Sequence, residues 1–142
     1  MSKELERTLA IIKPDGIKNI NKITEMIYKS GLMISKYEIR QLDEEILSEH
    51  YSHLVDKPFY PMLQEFMMSS EVVIMVLEGE NAVEKLRNLM GPTDSTKAPI
   101  DTIRGKFGTN ITYNAIHGSD SKENAEIEIN RFFKQKQKKK RI

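Results

Sequence analysis

The run Glu71–Glu78, EVVIMVLE, constrains the fold of this chain more than any other segment. A strand that is apolar on both faces has to be covered on both, and so belongs in the middle of a sheet. Its apolar stretch, Val72 to Leu77, is the longest in the chain and falls far short of the roughly 18 residues a membrane span needs. No membrane partner is expected.

Other elements are placed around that strand. Thr8–Lys13 reads as a strand stopped by the turn signal Pro14-Asp15-Gly16. Ile23, Met26, Ile27 and Ser30 share a helical face, and Gly31 stands where a C-terminal cap would. Leu32–Leu42 reads as a strand with Met33, Tyr37 and Ile39 on one face and Lys36, Glu38 and Arg40 on the other. Asp43 can cap a helix to about His53, with Glu44 and Glu45 favouring its dipole, and a short helix is expected around Pro61–Met68. Asn81 should cap a helix through Val83, Leu86, Leu89 and Met90, ended by Gly91. Gly91–Thr109 reads as loop, Ile111–Ile116 as the fourth strand, and Ser121 as the cap of a last helix through Phe133. The order β-α-β-α-α-β-α-loop-β-α predicts an α+β fold: a ferredoxin-like antiparallel sheet with helices packed mainly on one face.

With 142 residues, one domain is expected over residues 1–133, followed by a basic tail over 134–142. The chain has no cysteine, which excludes disulfides and thiolate zinc sites, and Met1–Arg7 has no apolar stretch of the signal-peptide kind. A cytoplasmic location is expected. The net charge of +1 hides an asymmetry, because Lys134, Lys136, Lys138, Lys139, Lys140 and Arg141 crowd the end and leave the body with 16 basic against 21 acidic residues. An acidic body can bind polyanions only through locally placed cations. The tail itself reads either as a solubilising end or as an electrostatic arm toward nucleic acid.

Of three histidines, His117 has the most unusual setting: it ends a predicted strand, and Gly118-Ser119-Asp120 and then a helix follow. Glycine at such a junction lets a substrate come close to the backbone. Glu128, in the following helix, can fold back and accept one ring N–H, which fixes the tautomer and frees the other nitrogen as a nucleophile. The plainer alternative is a strand-end histidine that only bonds its neighbours. Lys13 stands at the mouth of the first strand, Arg87 on the helix before the long loop, Thr93 and Arg104 in that loop, and Asn114 three residues before His117. Phosphoryl transfer needs positioned cations and an in-line nucleophile. Each basic residue taken singly reads as a solvated charge; their association with an exposed histidine points to chemistry.

Asn114-Ala115-Ile116-His117-Gly118-Ser119-Asp120 resembles the active-site signature of the nucleoside diphosphate kinase family. Lys13-Pro14-Asp15-Gly16, His50-Tyr51, Lys57-Pro58-Phe59 and Thr102-Ile103-Arg104-Gly105 match that family too, in order and at matching spacing, over about Arg7 to Phe133. The resemblance implies an enzyme that moves the γ-phosphoryl of a nucleoside triphosphate to a nucleoside diphosphate through a phosphohistidine on His117. It implies that Glu128 and Ser119 orient the ring, and that Lys13, Tyr51, Arg87, Thr93 and Arg104 bind phosphates or the sugar hydroxyl. Asn114 then matches the ribose position, Phe59 the stacking aromatic and Ile111 the apolar residue opposite it. Stacking tolerates every base, so base preference should be broad. Magnesium is expected to ride on the nucleotide phosphates, with no metal cage in the protein. A homo-oligomer is implied.

Ile17-Lys18-Asn19-Ile20-Asn21 is shorter than the family's usual text, and Ile100-Asp101 replaces its Pro-Gly. Neither departure touches a residue assigned to chemistry. Arg104-Gly105-Lys106-Phe107-Gly108 is faintly similar to an RNA-reading strand, but the alternating aromatics such a strand needs are missing. His50 and His53, three apart on a predicted helix, have no third metal ligand in the sequence pattern and are expected to pack or face solvent. A catalytically silent scaffold remains a further reading. No Gly-x-x-x-x-Gly-Lys-Ser/Thr loop occurs, which excludes a P-loop kinase.

Overall fold

In the computed structural model, which describes residues 5–134, the expected central strand β3 (Val72–Glu80) lies between two others. It pairs antiparallel with β1 (Leu5–Ile12) on one side and β2 (Met33–Arg40) on the other, and β1 pairs antiparallel with β4 (Ile116–Gly118). The sheet order is β2-β3-β1-β4, the ferredoxin-like arrangement. The helices are α1 (Ile20–Lys29), α2 (Glu44–His50), α3 (Tyr60–Met67), α4 (Ala82–Met90), α5 (Ile103–Phe107) and α6 (Lys122–Ile129). A π-helical turn, Asn130–Lys134, continues α6. No helix among the described residues is long and apolar enough to cross a membrane.

The α+β class holds, but cover is two-sided rather than mainly on one face. Ala10, Ile12, Val73, Met75 and Leu77 pack against Ile23 and Ile27 of α1 and Leu86 and Met90 of α4. Leu9, Ile11, Val72, Ile74 and Val76 pack against Ile46 and Leu47 of α2, Met67 of α3, Ile129 of α6 and Phe132. The unbroken apolar runs of β1 and β3 demand this, because alternate residues point to opposite faces and each needs a layer.

Four local expectations change. The fourth strand is not Ile111–Ile116 but Ile116–Gly118. The Asn110 side chain accepts from the backbone N–H of Thr112 and Tyr113, and Thr109 N–H donates to Tyr113 O, so a side-chain turn takes the groups a strand would use. The long loop contains α5, capped by Thr102, whose hydroxyl accepts from Gly105 N–H. Helix α2 stops at His50 instead of running to His53. On β2, a bulge between Ile34 and Lys36 separates Met33, which pairs with Glu78, from Tyr37 and Ile39, which pair with Met75 and Val73, so the three do not share a face as expected; all three are exposed. Asn81 does occupy the N-cap of α4, but in the left-handed region (φ 51°) and without a side-chain bond; Glu6 accepts from Val83 N–H instead. The basic tail lies outside the described residues, apart from the backbone of Lys134 in the π turn.

Candidate active site

β4 pairs His117 with Ile11, which puts its side chain on the sheet face covered by α2 and α6. From α6, Glu128 Oε1 lies 3.1 Å from His117 Nε2, and Ser119 Oγ donates to the same oxygen at 2.6 Å. Burial resists the charge on Glu128, but the bond from His117, its charge and the Ser119 hydroxyl overcome that and hold the carboxyl at about 2. The carboxylate takes Nε2 and not Nδ1.

Behind the ring, the backbone is laced to the turn after β1. Ala115 sits at φ 72°, a region costly for a residue with a Cβ. Ala115 N–H donates to Asp15 Oδ2 at 3.0 Å and Lys13 N–H to Ala115 O at 2.9 Å. Gly16 is obligatory beside this lacing, because a Cβ there would stand 2.5 Å from Ala115 O. Gly16→Ala should therefore lower stability by about 2 kcal/mol, read as a shifted denaturant midpoint at unchanged m-value.

Lys13 is buried; its Nζ donates to Asn114 Oδ1 at 2.8 Å and to Thr112 O at 2.9 Å. Burial lowers its pKa to about 8, with Arg104 pushing the same way and Asp15 opposing. Asn114 also donates to Thr93 O and Ile111 O, so one amide ties together three segments of the site. Arg104, buried on α5, donates to Gly91 O at 3.1 Å and Ile116 O at 2.8 Å. Burial, aided by the charge of Arg87, lowers it to about 10. Arg87 and Thr93 are exposed.

These groups open on one cavity of about 840 Å³. Lys13, Tyr51, Phe59, Arg87, Thr93, Arg104, Ile111, Asn114, His117 and Glu128 all line it, and Ser119 sits fully buried behind. The cations and His117 thus share a space with an apolar group made by Leu54, Phe59, Met62, Leu63 and Ile111. Phe59 and Ile111 are 47% and 62% exposed within that lining.

Three participants escaped the sequence reading. Asp15, whose Oδ1 is buried without a hydrogen-bond partner among the described residues, stands in the sequence only as part of a turn signal. His50 does pack, as expected, but against His117: the ring centroids are 4.8 Å apart at 83°. Arg131 donates to His50 Nδ1 at 2.9 Å. Only the adjacency of His50 to Tyr51 hinted at the second, and nothing at the third. His53 lines the cavity and is exposed, apart from the His50–His117–Glu128 group.

A ferredoxin-like sheet ending in a histidine–carboxylate pair, inside a cleft that is cationic around the pair and apolar elsewhere, is the layout of a phosphotransferase. The family model described as nucleoside diphosphate kinase matches residues 6–138. Curated relatives named nucleoside diphosphate kinase include one from Thermobifida fusca, 45% identical over 131 residues that cover 91% of this chain and 97% of that protein. Another, from Campylobacter jejuni, is 48% identical over 92% of this chain and 96% of that protein. The solved nucleoside diphosphate kinase of Encephalitozoon cuniculi superposes with a TM-score of 0.86 at 42% identity, covering 90% of this chain and 88% of that one. That of Halobacterium salinarum, solved in complex with CDP, gives 0.86 at 39% identity, over 93% and 88%. The chain belongs to the nucleoside diphosphate kinase family.

Proposed function

We propose that this chain catalyses transfer of the γ-phosphoryl group from a nucleoside triphosphate to a nucleoside diphosphate by a ping-pong route through His117. The observation that carries the reading is the Glu128–His117 pair, which holds Nε2 and leaves Nδ1 free in a cleft lined by Lys13, Arg87 and Arg104. In the first half, Nδ1 forms an N–P bond as the bond from the γ-phosphorus to the bridging oxygen breaks, and the diphosphate leaves with the electron pair. The ring's positive charge is met by Glu128, which Ser119 steadies. The second half runs the same steps backward onto a different diphosphate, so a single pocket serves both.

Lys13, Arg87 and Arg104 are assigned to the phosphate oxygens, Lys13 as a point charge and the arginines as forks. Tyr51 and Thr93 are assigned to phosphate or sugar hydroxyl contacts, and Asn114 to the ribose, with its present bonds bracing that wall. Phe59 and Ile111 would sandwich the base. Magnesium enters as part of the nucleotide. The His50–His117–Glu128 group does not suit it, since magnesium wants oxygen donors and the carboxylate oxygen of Glu128 already accepts two hydrogen bonds. The exposed apolar residues Met33, Tyr37 and Ile39 on edge strand β2 support a homo-oligomer that pairs or covers this edge.

Initial rates at varied donor and acceptor should give parallel double-reciprocal lines; intersecting lines would contradict the ping-pong route. Phe59→Ala should raise KM about tenfold and to a similar degree for purine and pyrimidine nucleotides, since stacking is worth roughly 1–3 kcal/mol and reads no base edge. Steady-state kinetics with ATP, GTP and CTP checks this, and a loss confined to one base would contradict it.

A further inference from the structure

His50 is a buried ring that the proposed reaction does not use, yet it stands against the proposed nucleophile. It is the last residue of α2, only 6% exposed, and packs edge-on to His117, Tyr51 and Phe132. The ligand atoms of His50, His117 and Glu128 lie within 4.8 Å of one another. Arg131 Nη1 lies 2.9 Å from His50 Nδ1, and a guanidinium can only donate. His50 Nδ1 must therefore accept, which puts the ring's one proton on Nε2. That Nε2 is buried without a hydrogen-bond partner among the described residues.

Arg131 is itself held. Its Nε donates to Glu49 Oε2 at 3.1 Å. It rides on the π-helical turn Asn130–Lys134, which is pinned where Arg40 of β2 donates to Phe132 O at 2.8 Å and lies over the Phe132 ring. A π turn widens the helix locally and is a frequent means of aiming a side chain at a functional site.

We infer that Arg131 is a positioning residue for His117: by donating to His50 Nδ1 it locks His50 as the uncharged Nε2–H tautomer, so that Glu128 serves His117 alone. The inference rests on the phosphohistidine reading above. The groups that face His50 are His117 from β4, Glu128 from α6, Arg131 from the π turn, and Glu49, Tyr51 and His53 on or just after α2. Burial first, then the charges of His117, Arg131 and His53, keep the ring neutral down to about 3, against the opposing pull of Glu128. Without Arg131 both the tautomer lock and one repelling charge are gone. Burial still keeps the ring neutral, but its proton is free to move to Nδ1, and the buried Nε2 then turns from a donor into an acceptor that competes with Glu128 for the His117 N–H.

The test compares the full-length protein with Arg131→Met, which keeps the aliphatic stem, and with His50→Gln and the double variant, in which position 50 cannot titrate. Nitrogen-15 NMR of histidine-labelled protein should show His50 as Nε2–H and uncharged through the acid range in the wild type. In Arg131→Met it should show a mixture of the two neutral tautomers. The rate of His117 phosphorylation by ATP should fall about tenfold in Arg131→Met, at pH 6 and pH 8 alike, and the loss should vanish in the His50→Gln background. An unchanged His50 tautomer in Arg131→Met overturns the inference, as does an unchanged rate or the same loss in the double variant. Failure of the wild type to form any phosphoenzyme would remove the reading underneath it, and is seen without the variants.

Discussion

His117→Ala should abolish nucleotide phosphotransfer, by a factor of at least about 10⁴, while the protein still folds. Neither His50 nor Tyr51, which also line the cavity, can replace it. His50 is buried, with its proton on Nε2 and its Nδ1 lone pair taken by Arg131. The Tyr51 hydroxyl is pushed up from its ordinary value by burial and by the nearby Glu128 carboxylate, so it is no nucleophile at neutral pH. The fold survives because the imidazole is only half-buried and, among the described residues, its hydrogen bond is to Glu128. The variant also has an acid signature. Glu128 is held at about 2 against an ordinary 4.5, so the stability it contributes is present above 4.5 and is lost as pH falls from there toward 2. Without His117 that depression shrinks, and acid unfolding of the variant should depend less steeply on pH in this window. Circular dichroism against pH, beside a coupled assay of turnover, checks both halves.

The second large effect centres on Lys13. Lys13→Met should cost about 10²–10³ in kcat/KM, because it removes a buried cation from the phosphate end and leaves Asn114 Oδ1 and Thr112 O without their donor. The wild type should show the same dependence as an alkaline limb. With its pKa lowered to about 8, Lys13 is charged below that pH and neutral above it, so activity falls as pH rises through 8. Stability should move the other way. Between about 8 and the ordinary 10.5 the unfolded chain holds a proton that the folded chain has released, so this group's contribution to stability rises with pH. A pH–rate profile and a denaturation series over the same range separate the two. An alkaline limb that persists unchanged in Lys13→Met would contradict the assignment.

Much of this was legible in the residues because the signals were periodic or local. The apolar run of β3 carried its own place in the sheet, and the 3.6-residue spacing of Ile23 and Ile27, or of Val83, Leu86 and Met90, marked buried helix faces. All eleven residues proposed for the site come together, ten lining the cavity and Ser119 behind it. What failed was decided by competition between local groups. Ile111, Thr112 and Tyr113 favour a strand, but the Asn110 side chain captures the amides of Thr112 and Tyr113, and a one-turn helix at Ile103–Phe107 is too short for periodicity to reveal. The bulge in β2 that separates Met33 from Tyr37 and Ile39, and the exposure of all three, leave no mark in the alternation. His50 and Arg131 meet across 81 positions of sequence, a distance at which only the fold can introduce them.

The most direct test of the central claim is to incubate the protein with γ-labelled ATP and magnesium and then treat it with alkali and acid. The expected result is label on the protein that survives alkali, is lost in acid, is absent from His117→Ala and is discharged by GDP or CDP. A folded wild-type protein that takes up no label, or keeps its label in His117→Ala, would contradict it.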